Sequence, residues 1–123
     1  MLITCSFFEA PKYEGEKYSI ANSQPKPELY PVKLYLSPAW ELVCGLKNGF
    51  LTEEVFTKRY IQQLNNLGEY AVKDLQKQCD KIVEGQNIIY LCWEPPGKFC
   101  HRYIAATWFA EKFGLTSVLL LLR

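Results

Sequence analysis

The chain has 123 residues, 49% hydrophobic and 22% charged, with a formal net charge of +1. That length suits one domain with one core. The balanced charge excludes a global electrostatic footprint for DNA or RNA but not a nucleotide site, and no apolar run approaches the roughly 18–20 residues of a membrane span.

In chain order, Leu2 to Phe8 is apolar and β-prone and predicts a first, buried strand. Glu9 to Lys17 reads as a polar loop, and Tyr18 to Ala21 as a short second strand. Pro25, Pro27 and Pro31 make Asn22 to Val32 irregular or extended, because each proline lacks a backbone donor. Ser37-Pro38 predicts a helix start running to about Lys47, with serine at the N-cap and proline at the first helical position. Thr52-Glu53-Glu54 starts a second helix, on which Val55, Phe56, Tyr60 and Leu64 recur at helical spacing. A third spans about Glu69 to Val83, with Val72, Leu75, Cys79 and Ile82 on one stripe. Then come a strand over Asn87–Trp93, a Pro-Pro-Gly loop, a helix over Phe99–Phe113 stopped by Gly114, and a last buried strand over Thr116–Leu122. The apolar runs at both ends of this strand–helix–strand unit predict a parallel sheet. The expected fold is therefore a single α/β domain over residues 1–123: a small three-layer, mainly parallel, Rossmann-like sheet flanked by helices.

Five cysteines (Cys5, Cys44, Cys79, Cys92 and Cys100) and no Cys-x-x-Cys pair predict free thiols in a reducing compartment. The start, MLITCSFF, has neither a basic n-region nor a small-residue cleavage site. A cytoplasmic location and no membrane partner are expected.

The chemistry-bearing residues crowd one strand-to-helix turn. Glu94 follows an apolar strand, and Cys100-His101-Arg102 opens a helix. In open α/β sheets, ligands sit beyond the carboxyl ends of the strands, and a helix N-terminus favours anions and lowers a thiol pKa. One assignment makes Cys100 the nucleophile, Glu94 the acid or base, His101 a proton shuttle and Arg102 a clamp on a phosphate or carboxylate. Another makes Glu94 the nucleophile or base. Arg102 lies only two residues beyond Cys100, too close for a phosphatase-type loop. Cys5 and Ser6, at the first strand end, and Ser19, in the second strand, are secondary binding candidates.

Each residue also has a packing interpretation. Cys92, among apolar neighbours, is expected in the core. Arg102 with Glu94 would fix the loop as a salt bridge. A zinc site from Cys92, Cys100 and His101 is disfavoured, because adjacent Cys100 and His101 are poorly spaced and no fourth ligand is evident. Lys47, Lys58 and Arg59 beside Tyr60 read as a solvated helix face. Trp40, Trp93 and Trp108 read as core or pocket wall. No fingerprint for NAD, ATP or a metal is present, so no cofactor is expected.

The stretch LCWEPPGKFCHRYIAATWF resembles the motif of a family of bacterial, archaeal and phage proteins, domain of unknown function 488: Leu-Cys-aromatic-Glu, a Pro-Gly loop, then Cys-His-Arg opening a helix. LITCSFF and KYSIA are similar to its first two strands, and LSPAWELVCGLKNGFLTEEVFTKRYIQQL to its middle. The resemblance covers nearly the whole chain and implies an α/β fold with its site at this turn. It gives no reaction. The expected function is an enzyme-like pocket for a phosphate-bearing small molecule, a nucleotide or a nucleic-acid end. The alternative is a non-catalytic protein that acts through a protein or nucleic-acid partner, with a structural Cys-His-Arg motif.

Overall fold

A computed structural model describes residues 1–123. Its elements are β1 (Leu2–Ser6), β2 (Glu16–Ser19), α1 (Trp40–Lys47), α2 (Glu53–Asn65), α3 (Glu69–Val83), β3 (Ile88–Cys92), α4 (His101–Phe113) and β4 (Leu120–Leu122). Short 3-10 helices cover Phe7–Lys12, Leu34–Leu36 and Ser117–Leu119. The four strands are all parallel, in the order β2-β3-β1-β4. The central pair, β1 and β3, is buried at every position, which is why both read as unbroken apolar runs instead of alternating ones.

Strand alternation divides the core in two. Leu2, Ile88 and Tyr90 face a cluster that takes residues from all four α-helices, among them Leu42, Phe56, Leu75 and Phe109. Ile3, Cys5, Ile89 and Leu91 face the other way, against Phe7 and Ala10 of the 3-10 helix and Ala21. The fold is thus a small three-layer α/β arrangement with unequal outer layers: α-helices on one face, a 3-10 helix and irregular chain on the other. α4 lies over β1 and both its neighbours. No helix is long and apolar enough to cross a membrane.

Several boundaries differ from expectation, each for a non-local reason. β1 ends at Ser6, where the chain turns into the 3-10 helix. β2 lies two residues earlier than expected, over Glu16–Ser19, where edge residue Glu16 receives Lys81 at 2.9 Å. The helix expected at Ser37 starts at Trp40. Ser37 instead closes the Leu34–Leu36 turn and donates its hydroxyl to the Ala21 carbonyl at 3.1 Å. The role of cap falls to a distant side chain, as Gln63 Oε1 accepts the Ala39 amide at 2.8 Å. On α3, Leu75, Cys79 and Ile82 are buried as expected, whereas Val72 is half-buried and Ala71 faces the core.

β4 is only three residues long, because Ser117–Leu119 forms a 3-10 turn. It pairs with β1 alone and is partly exposed, so it is an edge strand and not a buried one. Local signals fare better. Thr52 caps α2 by accepting the Val55 amide at 3.1 Å. Gly114 ends α4 at φ +73°, the left-handed conformation glycine adopts most easily. Asn22 to Val32 is irregular, and the Gln24 side chain pairs with the Tyr30 main chain at 2.8 and 3.0 Å.

Candidate functional site

Because every strand runs the same way, β1, β2 and β3 deliver their carboxyl ends to one edge of the sheet. That edge gathers Ser6, the chain just after Ser19, and Cys92. The start of α4 comes to the same edge. Cys100 precedes the helix in extended conformation (φ −154°, ψ 141°), and its side chain makes no capping bond. Its thiol is therefore free to turn inward, and it is buried.

Here the sulfurs of Cys92 and Cys100 and a ring nitrogen of His101 lie within 4.8 Å of one another. Cys92 Sγ stands 3.7 Å from His101 Nδ1 and donates to Glu94 Oε2 at 3.2 Å. His101 Nε2 is 2.6 Å from the Ile20 carbonyl oxygen. A carbonyl only accepts, so Nε2 carries a proton and Nδ1 is the nitrogen that faces Cys92. The Tyr60 ring meets the imidazole edge-on at 5.6 Å and is itself pinned by its hydroxyl to the Leu36 carbonyl at 2.5 Å. Together these contacts fix the ring's tautomer and orientation.

The two thiols are pushed in opposite directions. Cys92 beside it holds the Cys100 thiol far below its ordinary pKa against the cost of burial, and His101 adds to the effect. The proximity of Cys100, with burial, pushes Cys92 up. Burial, then the charge on Cys100, raises the Glu94 carboxyl.

A cavity of about 380 Å³ opens onto this cluster. Cys92, Glu94 and His101 line it, Trp40, Val43 and Trp93 contribute apolar wall, and Asn22, Ser23 and Lys47 add polar groups. Trp93 is held in place by its indole N–H, which donates to the Ser23 carbonyl and hydroxyl oxygens, both at 3.1 Å. A groove of about 310 Å³ between α2 and α4, lined by Ile61, Ile104 and Trp108 among others, holds no thiol or imidazole.

The structure thus brings Glu94, Cys100 and His101 together. It adds Cys92, assigned to packing above, and places Cys92, not Cys100, on the cavity wall. No local signal marks Cys92, which ends an unbroken apolar strand two residues before Glu94. Arg102 is elsewhere. It is fully enclosed, and its guanidinium donates to the main-chain oxygens of Glu94 and Arg123, each at 2.9 Å, and to the Tyr103 hydroxyl at 2.7 Å. It contacts Glu94 through the backbone and not as a salt bridge.

Cys5 is fully buried among Ile3, Phe7 and Leu91, and burial, followed by Glu9, pushes its thiol up to about 11. Ser6 lines a separate open hollow with Glu9, Trp93 and Pro95. Ser19 is buried, its hydroxyl accepting the Ala21 amide at 3.3 Å. Tyr60 is in the core and Lys58 pairs with Glu54 at 3.4 Å, so the basic stretch on α2 presents no exposed aromatic at Tyr60. No family model, curated protein or solved structure matches the chain.

Proposed function

We propose that this protein is a small enzyme-like domain that takes a nucleotide-like ligand into the cavity between Trp40 and Trp93. One observation carries the reading: Cys92, Glu94 and His101 line a cavity that is also walled by two tryptophans, 61% and 39% exposed. Partly exposed indoles suit stacking of a flat ring. Lys47, also on the wall, supplies a cation for a phosphate or carboxylate, the role Arg102 is too enclosed to fill. Thiol, imidazole and carboxyl side by side are the groups of nucleophilic and proton-transfer chemistry. The resemblance to domain of unknown function 488 points to the same turn, since its motif falls on Cys92, Glu94, Cys100, His101 and Arg102, the last of which braces the turn from outside the cavity. Five free thiols fit a reducing, cytoplasmic setting.

The burial of Arg102 favours a second reading, in which the Cys-His-Arg stretch only holds the fold and the protein works through a partner. A thermal-shift screen of phosphate, nucleosides, nucleotides and short oligonucleotides separates the two. Trp40 and Lys47 are exposed, so Trp40→Ala and Lys47→Ala keep the fold. A ligand that stabilises wild type and loses its effect in both variants supports the pocket. A full set of ligands that leaves the melting temperature of wild type unmoved overturns it.

A further inference from the structure

We propose that Cys92, Cys100 and His101 bind a thiophilic divalent cation of the zinc class, with the fourth coordination position facing the cavity beside Glu94. The inference rests on the reading that this pocket is the working site, and it names the cofactor that site would use. Two thiols and an imidazole are the donor types such ions prefer. A tetrahedral ion with bonds of about 2.3 Å to sulfur and about 2.0 Å to nitrogen holds sulfur and nitrogen roughly 3.6 Å apart. Cys92 Sγ and His101 Nδ1 stand at 3.7 Å. The widest separation among the three donors is at most 4.8 Å, which closes by about 1 Å around a shared ion.

The adjacency of Cys100 and His101 looked like an obstacle in the sequence. The structure removes it: Cys100 is extended and His101 is the first helical residue, and this change of backbone conformation turns both side chains to one point.

The surroundings are those of a ligating histidine. Its distal nitrogen donates to the Ile20 carbonyl at 2.6 Å, the outer contact that fixes the tautomer and leaves the other nitrogen to the ion. All three donors are buried, so little water competes for them. A carboxylate stands beside the fourth position. Glu94 Oε2 lies 3.2 Å from Cys92 Sγ, and its residue is half-buried on the cavity wall. Three protein donors with an exchangeable fourth position open to a pocket is the pattern of a catalytic ion, whereas four fixed donors mark a structural one.

The test is a cobalt titration of the full chain, stripped of metal under reducing conditions. The expected result is one cobalt per chain, with sulfur-to-cobalt charge-transfer absorption and the visible bands of a tetrahedral ion, both abolished by zinc. Cys92→Ser and Cys100→Ser each remove about half of the charge-transfer intensity, since each removes one of two sulfur ligands, and weaken binding at least ~100-fold. Cys44→Ser changes neither. Glu94→Gln keeps the charge transfer and alters the visible bands.

No charge transfer in folded wild type with cobalt in excess overturns the proposal. So does charge transfer that Cys92→Ser and Cys100→Ser leave undiminished, which marks adventitious binding at other thiols. If a serine variant fails to fold, by circular dichroism, the wild-type titration and Glu94→Gln still decide. Cobalt binding with no nucleotide response supports the ion and sinks only the pocket's proposed ligand. A nucleotide response that needs Trp40 and Lys47, without cobalt absorption, does the reverse.

Discussion

Replacing Arg102 by alanine should destabilise the fold far more than it alters the pocket. The guanidinium is fully buried, yet no side-chain carboxylate pairs with it. Its charge is met by two main-chain oxygens and the Tyr103 hydroxyl, with the ring of Tyr103 at 4.4 Å, and its Nε has no partner. Hydrogen bonds from a charged donor are worth about 1.5–3 kcal/mol each. Desolvating the cation offsets several kcal/mol of that. Truncation to alanine adds a cavity and strands the Glu94 carbonyl oxygen, while the Arg123 oxygen keeps the Tyr103 hydroxyl. The net loss should be at least ~3 kcal/mol. For a domain of 123 residues, that lowers the melting temperature by about 12 °C. Arg102→Met, which refills the volume without the bonds, should fall between alanine and wild type. Paired urea and thermal unfolding of the three proteins measures this. A melting point for Arg102→Ala within ~3 °C of wild type would refute the reasoning. Equal stability of Arg102→Met and wild type would show that the bonds do no more than offset desolvation.

Three further outcomes are expected. Thr52→Ala removes the oxygen that accepts the Val55 amide and should cost about 1 kcal/mol, read as a shift in the urea midpoint with unchanged slope. Gly15→Ala should cost more, roughly 1–3 kcal/mol, because Gly15 sits at φ +147° and a Cβ there would meet the Asn87 oxygen at 2.5 Å; a variant as stable as wild type contradicts the close approach. Burial alone would raise the Asp74 carboxyl, but hydrogen bonds from Lys33 and Tyr35 outweigh it and hold it below its ordinary value. A lowered native pKa means that the unfolded chain binds the proton more tightly, so Asp74 stabilises in full above about pH 4 and loses its contribution as pH falls through the native value. Melting curves over that acid range should fall less steeply for Asp74→Asn than for wild type, and identical slopes would discount the interaction.

The features legible in the sequence are those decided by neighbours along the chain. The apolar runs of β1 and β3, the Thr52 cap, the Gly114 stop and the crowding of Glu94, Cys100 and His101 all rest on a few adjacent residues. What was hidden is decided across the fold. Ser37 looks like a cap until Ala21, sixteen positions earlier, supplies a better acceptor. Cys92 inside an apolar strand is indistinguishable from packing until α4 returns a histidine to it. Arg102 looks like an anion clamp because charge suggests exposure, and nothing local announces that Arg123 and Tyr103 will enclose it. Trp40 and Lys47 reach the same cavity from α1, more than forty positions before Cys92.

The order of the strands also governs how the chain is made. β1 and β2 are not neighbours; each pairs with β3, and β4 pairs only with β1. No sheet hydrogen bond between strands can therefore form until Ile88 to Cys92 have been synthesised. Until then the apolar segment Leu2–Ser6 has no strand partner, although the residues of α1, α2 and α3 all precede β3 in the chain. Such non-local pairing slows folding and prolongs exposure of sticky chain. The ribosome thus synthesises the residues of three helices before the sheet can begin, and β3, entering between the two waiting strands, brings Cys92 to the site in the same step that closes the core.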